Sequence, residues 1–214
     1  MKIALIGATG PTGQLVIEQA LKRGHEVVAY VRNPGKLTAR SGLTIVSGTL
    51  DDTAAFSAAI KGADAVFSTL GTQQLRNVTL MQNSLPLVIK AMQGAGVQRF
   101  VLMSAYGVGE TARTASLLAR FLYKTVTSSV FADKEQSEKL LTGSGLKWTG
   151  VYPVILTNGP LASSMDVKPL DKVTKVSGLP KVSRANVARA MLDAVENDGT
   201  IAQRLVVSAS GTVR

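Results

Sequence analysis

Short apolar runs alternate with longer stretches of helical spacing along the chain. Residues 2–6 form an apolar run. A turn over 7–13 separates it from 14–23, where Leu15, Val16, Ala20 and Leu21 fall near one helical face. Gly24 closes that helix, as a residue tolerant of positive φ does. Residues 26–31 and 43–47 predict buried strands, and 52–60 a short helix with an acidic cap. Residues 64–68 predict a fourth strand, 78–93 a long helix ending at Gly94 and Gly96, and 99–103 a fifth strand running into Ser104. Beyond it the regularity loosens. Residues 110–141 are helix-prone but interrupted, and 147–151 predict a strand broken by Tyr152 and Pro153. Residues 156–177, with Pro160 and Pro169, predict a loop holding at most a short strand. Residues 183–196 predict a helix capped by Ser183, and 205–208 a last strand.

Strands separated by helices of about ten residues or more imply the α/β class, as a doubly wound, Rossmann-type parallel sheet with helices on both faces. Right-handed crossovers then fix most of the topology. No repeat, low-complexity tract or linker divides the chain, so residues 1–214 are expected to form a single domain. Residues 156–180 are the candidate substrate-side extension.

Composition removes several chemistries. With no cysteine there is no disulfide, thiolate nucleophile or cysteine zinc site. His25 is the only histidine, which argues against a histidine metal cluster and a Ser-His-Asp triad, so no metal site is expected. No apolar stretch of about 18 residues suggests a membrane span. The chain enters a strand pattern at residue 2, so no signal peptide is read and a cytoplasmic protein is expected. The net charge of +10 is scattered, without a block of basic residues. It points to anionic small ligands and a solvated basic surface rather than to nucleic acid.

The sharpest motif is Gly7, Gly10 and Gly13, which follow a strand and open a helix. The first glycine permits a tight turn, the second lets backbone approach a pyrophosphate, and the third lets the helix start close to the strand. Free N–H groups at the helix start then meet the phosphates, and Thr9 and Thr12 add hydroxyls. A tight turn without a ligand is the bland alternative. At the end of the second strand an NAD site usually carries an acid. Here stand Arg32 and Asn33, with Lys36 nearby. A guanidinium suits a 2′-phosphate through paired charge-assisted hydrogen bonds. NADP(H) is therefore the expected cofactor, with NAD(H) second.

GATGPTG, VRNPGKL, the LGT after the fourth strand, AGVQRFVLMSA and SGLKWTGVYP resemble the atypical short-chain dehydrogenase/reductases. Within them the chain is similar to the flavin reductase and biliverdin reductase B type of NAD(P)H-binding protein, in a superfamily with the NmrA-like group. The likeness runs from Lys2 to about Ile155 and resumes at KVSRANVARAML. The resemblance implies that Thr9, Gly10, Pro11, Thr12 and Gly13 cradle the pyrophosphate and that Arg32 and Lys36, beside Asn33, hold the 2′-phosphate. It further implies that Thr49 and Leu50 lie beside the adenine and that Leu70, Gly71 and Thr72 flank the nicotinamide ribose. Ser104 would lie beside the nicotinamide, Lys134 at the lysine position of the family, and Pro153, Val154 and Ile155 over the nicotinamide amide. Two departures stand out. The Tyr-x-x-x-Lys pair of carbonyl reducers is missing, with Val130 four residues before Lys134. Val154 stands where biliverdin reductase B has a histidine.

Ketone reduction develops charge on one oxygen, which needs a positioned donor. Only Ser104, Tyr106 and Lys134 are candidates. A flavin or quinone spreads the charge, so the protein mainly aligns two flat rings. The expectation is an NADPH-dependent oxidoreductase that transfers hydride to a small planar, anionic acceptor such as a flavin or quinone. Ser104 is its candidate catalytic residue, a hydrogen-bond donor that positions the rings. The alternative is a non-catalytic NADP(H)-sensing regulatory protein of NmrA-like type. An epimerase or ketoreductase is weakened by the missing pair. The helix-prone stretch 111–131, with Leu117, Leu118, Phe121, Leu122 and Val126, reads either as a packed helix or as a lid. The sequence leaves the acceptor and the oligomeric state open.

Overall fold

The structure is a computed structural model, and it describes residues 1–116, 119–120 and 127–214. The described strands are Lys2–Ile6 (β1), Glu26–Val31 (β2), Leu43–Ser47 (β3), Ala65–Ser68 (β4), Arg99–Met103 (β5), Lys147–Pro153 (β6), Ile155–Thr157 (β7), Met165–Pro169 (β8), Lys181–Ser183 (β9) and Arg204–Ala209 (β10). The α-helices described in full are Pro11–Lys22 (α1), Thr53–Ile60 (α2), Leu80–Ala95 (α3), Ser128–Thr142 (α4) and Arg184–Val195 (α5). Eight strands form one sheet in the order β3-β2-β1-β4-β5-β6-β10-β8. Every neighbouring pair is parallel except β10 with the edge strand β8, and β7 pairs with β9 separately.

The central strands read as continuous apolar runs because both faces are covered. Alternate residues point to opposite faces. Ile3 and Leu5 of β1 pack with Val16 and Ile17 of α1 and with Val187 and Met191 of α5. Ala4 and Ile6 pack with Phe56 of α2 and with Leu85 and Met92 of α3. Strand β5 divides in the same way, Val101 and Met103 to the first layer, Phe100 and Leu102 to the second. This is the doubly wound arrangement expected from the sequence.

The structure moves several boundaries. Helix α1 begins at Pro11, inside the glycine turn, because proline's fixed φ suits a first helical position and Gly10 sits extended before it. Strand β6 does not break at Tyr152 but runs through Pro153, which pairs with Val207. Proline lacks only a donor, and its carbonyl here accepts the Tyr106 N–H at 2.8 Å. Helix α3 continues past Gly94 to a left-handed Gly96. The expected loop 156–177 contains the edge strand β8, so part of that segment is built into the main sheet. Leu117, Leu118, Phe121, Leu122 and Val126, on which the two readings of 111–131 rest, lie outside the described residues.

A Cβ on Gly13 would stand 2.3 Å from the Gly7 carbonyl oxygen and 2.8 Å from Ala8 Cα, both backbone. Gly13→Ala is therefore expected to lower stability by about 1–3 kcal/mol, the usual range for overpacking. Gly71→Ala, where a Cβ meets nothing within 4 Å, should change stability by less than about 0.5 kcal/mol. Urea unfolding of the two variants checks the contrast.

Candidate cofactor cleft and active site

The turn between β1 and α1 is built by close approach. Gly7 has φ +79°, and a Cβ there would lie 2.7 Å from the Thr69 carbonyl carbon and 2.8 Å from Leu70 N. The Gly10 N–H donates to the Gly7 carbonyl at 3.0 Å. Gly7 and Gly13 are thus required by the protein's own packing. Gly10 is less crowded: the one neighbour of a Cβ there would be the Gly7 oxygen, 3.2 Å away. No side chain caps α1, and its first turn carries no acid. The N–H groups and partial positive charge of that helix end therefore face outward, as an anion site does. Pro11 is exposed and Thr12 is buried at the helix start.

Beside the turn lies a cleft of about 540 Å³. Gly7, Thr9, Arg32, Asn33, Lys36, Thr49, Leu50 and Leu70 all line it, so eight of the residues predicted for the site converge there. Arg32, Asn33 and Lys36 are exposed at the exit of β2. The acid on the lining is Asp51, which follows β3 instead. Sequence reasoning missed Tyr30 and Gly48, and also Leu80, Asn83, Ser84 and Leu87, which bring α3 to the opposite wall. Tyr30 donates its hydroxyl to the Thr49 carbonyl at 3.1 Å. A Cβ on Gly48 would stand 2.1 Å from that hydroxyl oxygen. Burial, with Asp52 nearby, holds the Tyr30 phenol above its ordinary pKa. A glycine just past a strand that faces a tyrosine was the available signal.

The other predicted residues do not line this cleft. Gly71 and Thr72 are exposed in the loop after β4. Pro153 and Val154 are buried, and Ile155 is exposed. Ser104 and Lys134 are buried at the end of β5. There α4 does something unusual for a packing helix: its buried residues are Asp133, Lys134, Ser137, Glu138 and Leu141. The Asp133 carboxylate accepts from Met81 N at 2.8 Å and Gln82 N at 2.9 Å, capping α3. Ser137 donates to the Lys134 carbonyl at 2.8 Å. The Lys134 ammonium reaches the Met103 carbonyl at 3.4 Å.

Glu138 was not foreseen, and it organises the region. Ser104 Oγ donates to Glu138 Oε1, and the Tyr152 hydroxyl donates to Glu138 Oε2 at 2.6 Å. Ser104, the candidate ring-positioning donor, is thus hydrogen-bonded to a buried carboxyl group. Tyr152 folds back over Gly150, where a Cβ would lie 2.6 Å from the ring. Arg204 of β10 sits 5.3 Å over the Trp148 ring and 3.6 Å from Glu110. Burial pushes the Glu138 carboxyl up, against the pull of Ser104, Tyr152, Lys134 and Arg204. Burial pushes the Lys134 ammonium down. The Tyr152 phenol is raised by burial and by Glu138. His25 lies far from this region in the chain's packing, held by Glu196 at 2.8 Å.

Comparison with known proteins bears on this arrangement. A family profile described as NAD(P)H-binding matches residues 7–198. The isoflavone reductase homolog P3 of Arabidopsis thaliana is 30% identical over 98% of this chain and 69% of its own. A short-chain dehydrogenase/reductase from Veillonella parvula, solved in complex with NADP, superposes with a TM-score of 0.83 at 18% identity, over 100% of this chain and 96% of that one. A protein from Streptococcus pneumoniae, provisionally assigned as an NADH-flavin reductase, superposes with a TM-score of 0.78 at 25% identity, over 98% and 100%.

Asp133→Asn keeps the size of the side chain but replaces one acceptor oxygen by an amide that faces a backbone N–H. Hydrogen bonds to charged groups contribute about 1.5–3 kcal/mol, so a stability loss of that order is expected. Urea unfolding followed by circular dichroism measures it, and an unchanged midpoint would show that the cap contributes nothing.

Proposed function

The chain belongs to the NAD(P)H-binding family, and we propose that it is an NADPH-dependent reductase of the atypical short-chain class, acting on planar, delocalised acceptors such as flavins or quinones. The observation that carries this reading is the end of β5. Ser104 is held there by Glu138, and Val130 stands where the tyrosine of Tyr-x-x-x-Lys would stand. A ketone concentrates charge on one oxygen as hydride arrives and needs a donor already placed at that atom. A flavin or quinone spreads the charge over its rings, so its proton can arrive in a later step. The provisional flavin reductase among the structural relatives agrees with this reading.

The nicotinamide, when bound, supplies hydride. The residues present fit the dinucleotide because α1 offers an uncapped N-terminus next to the uncrowded Gly10. In this reading Gly7 and residues 9–13 seat the pyrophosphate. Arg32 and Lys36, with Asn33, meet the 2′-phosphate, and Thr49 and Leu50 meet the adenine. Leu70, Gly71 and Thr72 flank the nicotinamide ribose, Ser104 lies beside the nicotinamide with Lys134 at the family's lysine position, and Pro153, Val154 and Ile155 cover the amide. The cofactor preference follows from the exposed cations at the β2 exit and the absence of an acid there. The neighbour solved with NADP supports it.

Arg32→Ala should remove charge-assisted hydrogen bonds worth about 1.5–3 kcal/mol. NADPH should bind roughly 10- to 150-fold more weakly, while NADH affinity barely changes. Titration calorimetry with both cofactors decides this, and equal losses would take Arg32 off the 2′-phosphate. The acceptor reading is tested by NADPH oxidation against flavins, quinones, bilins and simple ketones. Flavin or quinone turnover should exceed ketone turnover. Strong ketone reduction with no flavin or quinone activity would overturn it. Tight, redox-selective NADPH binding without any turnover would favour a sensor.

A further inference from the structure

Helix α4 buries polar side chains where a packing helix should bury apolar ones. Lys134, Ser137, Glu138 and Leu141 share its inner face at helical spacing, and among them Leu141 alone is apolar. Two of the polar groups have structural explanations. Asp133 caps α3, and Ser137 closes onto its own helix. Glu138 has none. It is buried against Ser104 of the β5 end and Tyr152 of β6, strands whose Phe100, Leu102 and Trp148 share an apolar cluster with Leu141 of α4. Burying a charged carboxyl there carries a desolvation penalty that its partners must offset. A glutamine, of nearly the same size, would bond both hydroxyls without an ionisable group. Such expense is typical of functional groups, and the partner of Glu138 is the polar residue at the end of β5.

We infer that Glu138 stores the proton of the reduction and passes it through Ser104. The inference rests on the reductase reading above. In each turnover the acceptor gains one hydride, as a C–H bond of the dihydronicotinamide breaks and the oxidised cofactor forms. The anionic acceptor then takes the hydroxyl proton of Ser104, forming its new O–H or N–H bond. Ser104 Oγ is made whole by the proton of the Glu138 carboxylic acid. The carboxylate left behind accepts the Tyr152 hydroxyl on its other oxygen, and solvent returns a proton before the next turnover. Glu138 acts through Ser104 and is a positioning and proton-storing residue rather than one that touches substrate.

The groups that face Glu138 are set for this. Ser104 comes from the end of β5, Tyr152 from β6, and the charge of Arg204 from β10. Lys134 stands one turn away on α4 itself. Arg204 is in turn paired with Glu110. Helix α3, which packs against α4, carries only Lys90, and it is exposed. Burial favours the protonated acid, while the two hydroxyls and two cations favour the carboxylate. Burial outweighs the others, so the carboxyl holds its proton to higher pH than an ordinary carboxyl does, while the hydroxyls and cations favour its release.

Three measurements on the full chain test this. The infrared spectrum near neutral pH should contain the carbonyl stretch of a buried protonated carboxylic acid, and Glu138→Gln should remove it. With the best acceptor of the panel, Glu138→Gln should slow kcat by on the order of 10²-fold and abolish the alkaline limb of the wild-type pH profile, with NADPH affinity within about twofold. Tyr152→Phe removes a hydrogen bond that favours the carboxylate, so its alkaline limb should move to higher pH. A merely structural role would not move that limb. Wild-type rates and pH profile in Glu138→Gln, or an infrared band unchanged by that substitution, would overturn the relay while leaving the reductase reading intact. Failure of that reading would show instead as wild-type protein that oxidises NADPH with no acceptor at all.

Discussion

The approach of the first turn of α1 to the exit of β1 is the constraint on which the rest depends. With a side chain at residue 13, the helix would have to stand off from the Gly7 carbonyl. With one at residue 7, the exit of β4 could not close. As it is, Thr69 Oγ1 donates to the carbonyls of Ile6 at 3.2 Å and Gly7 at 3.1 Å, so β4 is latched to the same turn. Helix α1 then lies on one face of the sheet, against α5, while the chain crosses to the other face for α2 and α3. Between β1 and β4 the strand order reverses, and a crevice opens outside the strand ends, where ligands of open α/β sheets bind.

The strand ends on the two sides of β1 and β4 are built by different physics. The side near β2 and β3 uses backbone, glycines and exposed cations, so it holds a ligand with little buried charge of its own. The side near β5 and β6 keeps a lysine and a glutamate out of water. Their linkage to pH runs in opposite directions. The folded state holds the Glu138 proton more tightly than the unfolded chain does, so its contribution declines as pH rises from the ordinary carboxylate range through the raised folded value. The folded state sheds the Lys134 proton more readily, so that contribution grows as pH rises through the depressed folded value toward the ordinary lysine range.

Much of this was legible because it is local. Strand β1, its turn and α1 follow from apolar spacing and three glycines, and the β2 exit from Arg32 and Lys36. Ser183 was read as a cap, and it accepts from Asn186 N at 3.1 Å. What escaped depends on contacts distant in sequence. Pro153 looks like a breaker until β10 pairs with it. Residues 165–169 have no clear period because an edge strand buries only part of each residue. Glu138 looks like one more surface acid on a polar helix. Only the fold brings Tyr152, 14 residues on, and Ser104, 34 residues back, onto its two oxygens.

The missing tyrosine and the buried glutamate make sense together. A phenol next to a lysine delivers its proton at the substrate atom in the same step as hydride transfer, which a localised alkoxide demands. A serine backed by a carboxylic acid delivers in two linked steps, with the acid kept away from the substrate. That slower donor suffices only if the reduced acceptor can carry its negative charge meanwhile, as an extended ring system does. Keeping the acid inside α4 also frees the surface at the strand ends for flat apolar contact, since a charged group exposed there would bind water in the place a ring must lie. In the proposed reaction, delocalisation in the acceptor and burial of the acid are thus two sides of one design constraint.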